Sequence, residues 1–411
     1  MVQTMTLNNG VRIVTEPIPY VRSLSMGIWV ASGSRFEAQH RNGISHFLEH
    51  MFFKGTTTRS PSDIAESFDK IGGQVNAFTS KEYTCFYAKV LDQHADIALD
   101  VLTDMFFHST FDPEELEKER NVIFEEIKMV EDTPDDIIHD ILGEAYFGNH
   151  PLGNPILGTE ETVTSFEQQH LIDHMEEFYT GENVVISIAG NIPDHLIREL
   201  EKKFSGLPAA NTEAAIVKPA FHTNKITRQK DTEQAHLCIG YPGLAAGDER
   251  MYALILLNNI LGGSMSSRLF QEIREKRGLA YSVFSYHSSF KDNGMLTIYG
   301  GTGMDQLDQL FDATMACINT LRKHGLTEKE LKNGKEQLKG NLVLSLESTN
   351  SRMNRNGRHE LMFGCHRSLD KVMAAIDRVS FGDINDVAEE VFRRDFALAL
   401  VSRDGKLPSS L

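Results

Sequence analysis

The sequence predicts an α+β protein built from two related domains of about 200 residues each. Three observations support this fold class. The chain has 411 residues, more than one ordinary hydrophobic core accommodates. Strand and helix patterns occur in separated runs and do not alternate strictly. Beyond a polar stretch in the middle of the chain the order of the patterns begins again, which indicates a duplication. We expect each domain to be a mostly antiparallel sheet covered by helices.

The elements of the first half follow from hydrophobic periodicity, which is two residues for strands and 3.6 for helices. The predicted strands are 10–16, 24–30, 74–79, 83–91 and 183–189, of which 74–79 and 83–91 form a hairpin. The predicted helices are 61–71, 95–107, 113–131 and 134–147, with a further helix over the motif described next and a short one after Pro193.

One segment predicts chemistry, His46-Phe47-Leu48-Glu49-His50. It has the order H-x-x-E-H, which is typical of hydrolytic zinc sites. Each helical residue turns the side chain by about 100°, so His46, Glu49 and His50 lie on one face. The flanking residues are mostly apolar and predict a buried helix, in which His and Glu need partners. The motif predicts two metal ligands and a general base; the alternative is an amphipathic helix with two merely solvated or paired histidines.

Catalytic zinc takes three protein ligands and leaves one open position, so a third donor is needed. The helix that begins at Pro113 supplies several carboxylates: Glu115, Glu117, Glu119, Glu125, Glu126 and Glu131. Glu119 and Glu126 are seven positions apart and lie on one face, whereas Glu125 points elsewhere. A solvated acidic face is the usual explanation for most such carboxylates. Spacing alone therefore leaves the third ligand open.

The domain limits follow from a lapse in periodicity between Gly206 and Thr232. We predict a zinc-binding catalytic domain over 1–208, a linker over 209–231 and a related domain without a metal over 232–411.

The evidence for a duplication is a weak internal similarity. The sequence around Leu116 has its counterpart around Leu331. The same shift along the chain places Leu261, Ser264 and Met265 opposite the three polar positions of the motif, so a duplicated second half has no metal site. Two unrelated α+β domains remain the alternative.

Composition limits the classes of function. A hydrophobic content of 41% with 24% charged residues is typical of a globular protein, and a net charge of -17 argues against nucleic-acid binding. No apolar run long enough to span a membrane and no signal-peptide pattern occurs, so we expect a cytoplasmic protein without a membrane segment. The four cysteines form no C-x-x-C pair, and we predict that all are buried: Cys85, Cys238, Cys317 and Cys365.

With these motifs the chain resembles the pitrilysin, insulinase and mitochondrial processing peptidase family of inverted zincins, in its single-chain bacterial branch. The resemblance covers nearly the whole length and implies a zinc endopeptidase that hydrolyses peptides or unfolded segments, with one Zn²⁺ per chain. The family has a glutamate ligand at a characteristic distance after the second histidine, and the matching position here is Glu126. An acidic residue seven positions earlier, Glu119 here, is grouped with the catalytic residues and orients or tunes the site.

Two further segments resemble substrate-binding parts of that family. Residues 72–80 resemble an edge strand on which an extended peptide adds as another strand, which implies substrate contacts by Asn76, Ala77, Phe78 and Thr79. Residues 268–282 resemble the segment with an Arg/Tyr pair that reaches the peptide, and the matching positions are Arg274 and Tyr281. Tyr281 would also stabilise the developing oxyanion. Without the resemblance, these are an ordinary hairpin, a surface cation and a core or interface aromatic.

Two departures from the family also matter. The loop at 261–267 is short, unlike the long glycine-rich loop of the processing peptidase's non-catalytic subunit. The chain has two predicted domains where larger members have four, which implies a homodimer that closes a clam-shell chamber. The alternative function is a non-catalytic assembly subunit, because the family includes core proteins of respiratory complexes.

Overall fold

The computed structural model describes residues 2–209 and 217–411. The chain forms two compact units, and each unit includes segments from both halves of the sequence. The first unit comprises Met1–Lys128, Asn154–Ile216 and Leu344–His366; the second comprises Met129–Gly153, Val217–Val343 and Arg367–Leu411. Residues 210–216 of the predicted linker lie outside the described residues. The limits proposed at 208 and 231 stay a prediction.

The first half of the chain contains strands and helices that match the predicted spans closely, together with three elements that were not predicted, at residues 3–6, 160–164 and 168–178. In chain order they are β1 (Gln3–Thr6), β2 (Arg12–Pro17), β3 (Ser23–Val30), α1 (Ile44–Met51), α2 (Pro61–Asp69), β4 (Gln74–Thr79), β5 (Thr84–Leu91), α3 (Ala95–His108), α4 (Pro113–Asp132), α5 (Pro134–Phe147), α6 (Glu160–Thr164), α7 (Gln168–Phe178), β6 (Val184–Gly190) and α8 (Leu196–Phe204).

The second half repeats this order, although its described residues include no counterpart of β1 or α8. Its elements are β7 (Lys225–Gln229), β8 (Gln234–Pro242), α9 (Met251–Leu261), a π-helical turn (Phe270–Glu275), β9 (Ala280–Ser289), β10 (Gly294–Gly303), α10 (Leu307–His324), α11 (Glu328–Ser345), α12 (Thr349–Phe363), α13 (Leu369–Arg378), α14 (Phe381–Arg393) and β11 (Ala397–Ser402).

The two sheets share one topology. The first has the order β1-β2-β6-β3-β5-β4 and the second β7-β11-β8-β10-β9, so the second sheet equals the first without β1. Each sheet has one parallel pair, β2 with β6 or β7 with β11, and its other pairs are antiparallel. The predicted fold class, two related α+β domains with mostly antiparallel sheets, is confirmed.

One helix from each half belongs to the other half's unit. The third helix after β5 is α5, which packs on β8 and β11 in the second unit. Its counterpart after β10 is α12, which packs on β3 and β6 in the first unit. The exchange is reciprocal, and each exchanged helix covers one face of a sheet. Central strands covered on both faces are apolar along almost their whole length, as in the fully buried β6 and β11.

The register between β3 and α12 shows how the exchanged helix is held. Alternate side chains of β3 enter the core on the α1 and α3 side: Leu24, Met26, Ile28 and Val30. On the other face, Ser25 makes a hydrogen bond of 3.0 Å with the hydroxyl of Thr349. Trp29 on the same face packs in a cluster that includes Met353. Gly27, two positions after Ser25, faces Met353, four positions after Thr349, so a step of two residues on the strand matches a step of four on the helix.

The difference in residue number between corresponding elements of the two halves is not constant, contrary to the prediction. The helices α4 and α11, which begin at Pro113 and Glu328, are related by the same shift as Leu116 and Leu331. In contrast, α9 begins at Met251, earlier than that shift from the start of α1 predicts. The counterpart of the motif helix is therefore Met251–Leu261, and the prediction that places Ser264 and Met265 opposite Glu49 and His50 is wrong. Connections between elements change length more readily than the elements do, so a single shift does not hold along the chain.

The cysteine prediction is wrong at one position. Cys85, Cys238 and Cys317 are buried, but Cys365 is exposed. It follows Gly364, the left-handed residue that ends α12, and so it lies beyond the helix that packs on the sheet.

Candidate metal centre

The first side of the site is α1, a short helix whose apolar side chains are buried in the first unit's core. It begins after Gly43, which has φ of +95°. A Cβ at Gly43 would lie 2.7 Å from the carbonyl oxygen of Leu157, so glycine is required there for two reasons. The imidazole rings of His46 and His50 adjoin each other, with centroids 4.5 Å apart.

The third donor comes from α4. The Nε2 atoms of His46 and His50 lie 3.7 and 3.6 Å from Oε2 of Glu126. One ligand atom from each of the three residues lies within 4.8 Å of the other two, and no other such group occurs in residues 2–209 and 217–411. Glu125 instead forms an exposed ion pair with Lys128. Of the carboxylates that spacing left open, the structure brings Glu126 to the histidines.

Glu119 lies behind His50. Its Oε1 is 2.8 Å from Nδ1 of His50, and its Oε2 is 2.5 Å from Nζ of Lys54. Burial opposes charge on His50, but the hydrogen bond and charge of Glu119 outweigh it and raise the pKa of His50. For Glu119, burial is outweighed by the hydrogen bonds from His50 and Lys54, which lower its pKa. Glu119 thus holds Nδ1 of His50 and leaves Nε2 facing Glu126.

His46 differs from His50 in its electrostatics. Burial and the neighbouring His50 lower the pKa of His46 to about 3. The ring is therefore neutral near pH 7, which is the form that donates a lone pair to a metal.

Glu49 is tied to the neighbouring sheet. The hydroxyl of Thr79, the last residue of β4, donates a hydrogen bond of 2.5 Å to Oε2 of Glu49. Burial raises the pKa of Glu49, and the hydrogen bond from Thr79 opposes this only in part. A carboxylate with a raised pKa exchanges protons more readily near neutrality.

The strand β4 is an edge strand of the first sheet. Ser80, which follows it, donates its N–H to Tyr83 O at 2.8 Å, so the alternation of antiparallel pairing directs the main-chain groups of Val75, Ala77 and Thr79 toward the open edge. The hydrogen bond of the Ala77 N–H is consistent with this direction, because its acceptor is the side-chain oxygen of Asn76 at 2.8 Å. The predicted segment from Asn76 to Thr79 therefore offers main-chain groups beside Glu49.

Arg274 and Tyr281 lie together in the second unit. The Arg274 guanidinium carbon is 4.7 Å from the ring centroids of both Phe270 and Tyr281. Tyr281 is 79% exposed and lies at the start of β9, an edge strand of the second sheet. The core-aromatic interpretation of Tyr281 is therefore wrong, because its exposed ring packs on the half-buried Arg274 and not in a core.

The residues fit zinc. Ligand atoms about 2.0–2.1 Å from a tetrahedral ion lie about 3.3–3.5 Å apart. The two nitrogen–oxygen distances exceed this by only a few tenths of an ångström. Two imidazoles and one carboxylate form the donor set of hydrolytic zinc sites, and Glu119 supplies the outer carboxylate that such a histidine commonly has.

Fold and site together define a two-domain α+β protein whose first domain has an inverted zincin motif. The family described as "Insulinase (Peptidase family M16)" matches residues 12–160, and "Peptidase M16 inactive domain" matches residues 165–338. A protein from Bacillus subtilis (strain 168), named uncharacterized zinc protease YmxG, is 60% identical over 409 residues and all of both chains. The chain belongs to the M16, or insulinase, peptidase family, which confirms the resemblance noted from the sequence.

Another relative and two solved structures are also similar to this chain. An uncharacterized zinc protease from Streptomyces coelicolor is 42% identical over 97% of this chain and 89% of its own. Two solved structures share the fold. A peptidase M16 inactive domain from Pseudomonas fluorescens has a TM-score of 0.91 at 20% identity, covering 99% of each chain. A protease from Helicobacter pylori has a TM-score of 0.90 at 22% identity, covering 98% and 99%. None of the described helices combines the length and the hydrophobicity that a membrane span needs.

Sequence reasoning missed two contacts of the site. Lys54, which binds Glu119, lies beyond Met51, where α1 ends, so helical spacing does not indicate it. The bond between Thr79 and Glu49 joins two elements that are distant in sequence, and no local pattern indicates it.

Proposed function

We propose that this protein is a zinc-dependent endopeptidase that hydrolyses peptides or unfolded segments, with one zinc ion per chain held by His46, His50 and Glu126. The observation that supports it most is the convergence of these three donors with Glu49 beside them. When bound, zinc supplies Lewis-acid chemistry, since it polarises a carbonyl and lowers the pKa of water toward about 7.

Glu49 performs the proton transfers in this proposal. Its carboxylate accepts a proton from the attacking water and later gives it to the departing amine. The hydroxyl of Thr79 holds one carboxylate oxygen, which leaves the other free for water. Glu119 keeps the imidazole of His50 oriented throughout.

Substrate binding is assigned to the edge strand and to the second unit. An extended peptide would pair with the outward main-chain groups of Ala77 and Thr79. The N–H of Ala77 must then exchange the side-chain oxygen of Asn76 for a carbonyl of the peptide. Asn76 and Phe78 then flank it. Arg274 would hold a substrate carbonyl, and the hydroxyl of Tyr281 would donate to the oxygen that becomes negative. The exposed Tyr281 is available for such a contact.

The test combines metal analysis with a mixed peptide library, cleaved with and without chelator. We expect cleavage to stop on chelation and to return with zinc. Glu49→Gln should keep zinc and lose activity by at least the 10²–10⁴-fold typical of a general base. Glu125→Gln is the matched control, because Glu125 adjoins Glu126 in sequence but pairs only with the exposed Lys128 among its described contacts. Full activity of Glu49→Gln would contradict the assignment of Glu49 as the general base.

The same experiment distinguishes the endopeptidase from the alternative function. A purified protein that binds no zinc and cleaves no peptide would be a non-catalytic assembly subunit. The complete donor set favours the enzyme.

We further propose a cytoplasmic homodimer that encloses its substrate in a clam-shell chamber. Light scattering checks the pairing, because a solution mass of 46.2 kDa would mean a monomer.

A further inference from the structure

The start of the metal-binding helix is held by a buried carboxylate from outside the motif. Glu37 is 5% exposed and uses both of its oxygens. Oε2 accepts the N–H of Gly43 at 2.8 Å and the side-chain amide of Asn42 at 3.0 Å, and Oε1 accepts the N–H of Ser45 at 2.9 Å. These bonds satisfy N–H groups that the first turn of a helix otherwise leaves unpaired.

This contact matters because the N-cap residue of α1 provides no cap of its own. Gly43 occupies the N-cap position, has no side chain and makes no side-chain cap hydrogen bond. The helix is short, and its first turn includes His46. The carboxylate lies at the helix N-terminus, where negative charge is stabilised by the helix dipole. Glu37 therefore takes the place of a side-chain cap at the start of α1.

Ser45 links this arrangement to the metal ligands. Its N–H bonds to Glu37, and the next residue is His46. The hydroxyl of Ser45 also lies 3.4 Å from Nε2 of the buried His174, on the neighbouring α7. Burial raises the pKa of Glu37, and the N–H groups of Gly43 and Ser45 oppose this. The carboxylate is thus matched to donors from residues 42–45, which include the end of the preceding turn and the first turn of α1.

We propose that Glu37 is a positioning residue for the metal centre: by holding the N–H groups of Gly43 and Ser45 it orients α1 so that His46 and His50 converge on Glu126. The inference rests on the proposed function, since it assigns Glu37 to the zinc site. Glu37 touches neither the metal position nor substrate in this assignment, and it acts through the main chain of α1.

The test is the zinc affinity of folded variants, measured by competition with a chromophoric chelator. Glu37→Gln replaces one accepting oxygen by an amide that donates, and this amide then faces either the N–H of Ser45 or the two donors of Gly43 and Asn42. We expect zinc affinity to fall about tenfold or more, the range found when groups that orient metal ligands are replaced. Glu37→Asp keeps the charge but shortens the reach, so we expect a smaller loss.

Glu82→Gln is the matched control. Glu82 is also a buried carboxylate of the first unit, 6% exposed, and it forms an ion pair with Arg35 at 2.6 Å. It should lower thermal stability without a comparable loss of zinc affinity. Wild-type zinc affinity in folded Glu37→Gln overturns the positioning role, as does a loss in Glu82→Gln equal to that in Glu37→Gln. If Glu37→Gln does not fold, wild-type affinity in Glu37→Asp overturns it.

Measurements on the wild-type protein distinguish a failure of the Glu37 proposal from a failure of the proposed function. A wild-type chain that binds no zinc removes both proposals. A wild-type chain that binds zinc and cleaves peptides, together with a Glu37→Gln protein of equal affinity, removes only the role of Glu37.

Discussion

The exchanged helix α12 is joined to the first sheet at Gly357, and the substitution Gly357→Ala tests that contact. A Cβ at this position would lie 2.3 Å from Nε1, 2.4 Å from Cε2 and 2.7 Å from Cδ1 of Trp29. Ordinary contacts between such atoms lie at about 3.5–4.0 Å. The added methyl group therefore requires a displacement of about 1 Å between the helix and the indole.

Trp29 has no room to give way. It is buried, and its ring packs against Phe78 and Tyr83 at centroid distances of 5.5 and 5.4 Å. Overpacking of this kind costs about 1–3 kcal/mol. The better helix propensity of alanine offsets up to about 1 kcal/mol of this cost. We expect a net loss of up to about 2 kcal/mol in the free energy of unfolding, which is up to about 8 °C in melting temperature for a domain of this size.

Thermal unfolding followed by intrinsic fluorescence is the assay, because Trp29 is the single tryptophan of the chain. Gly340→Ala is the matched control. Gly340 lies within α11, and a Cβ there meets nothing within 4 Å, so that variant should gain up to about 1 kcal/mol. A Gly357→Ala protein with unchanged fluorescence that melts at or above the wild type would refute the packing of α12 on Trp29.

Three further predictions concern the site and its surroundings. Glu119→Gln should weaken zinc binding about 10- to 100-fold because His50 and Lys54 lose their carboxylate partner; unchanged affinity in a chelator competition would contradict this. Burial, with a smaller effect of Arg41, lowers the pKa of His174 to about 3, so the unfolded chain binds more protons and stability falls as pH falls below about 6.5. Melting temperatures between pH 6.5 and 4 should fall less steeply in His174→Asn than in the wild type, and equal slopes would exclude His174 as a cause. Tyr281→Phe should keep zinc affinity and lower kcat by about 10²-fold, as loss of an oxyanion donor does; an unchanged kcat would remove that role.

The residues of the candidate site differ in how far the sequence could predict them. Helical geometry alone placed His46, Glu49 and His50 on one face, and the structure has them so because α1 is a regular helix. It could not choose among the carboxylates of α4, since several share the exposed side of that helix. The resemblance selected Glu126, and the structure brings Glu126 to the two histidines. That choice depends on where α4 lies against α1, which spacing does not contain.

The sequence by itself determined the local elements and the chemistry of the motif. Strand and helix spans followed from periods of two and 3.6 residues, because these periods express which side of an element is buried. Only the tertiary structure decided which elements meet. The exchange of α5 and α12 and the bond between Thr79 and Glu49 join residues through packing of distant elements. The contact of Glu37 with Ser45, eight positions apart, depends on how the chain turns before α1. A buried face specifies that a partner exists but not which one, because many apolar surfaces of similar size fit equally well until the whole chain is folded.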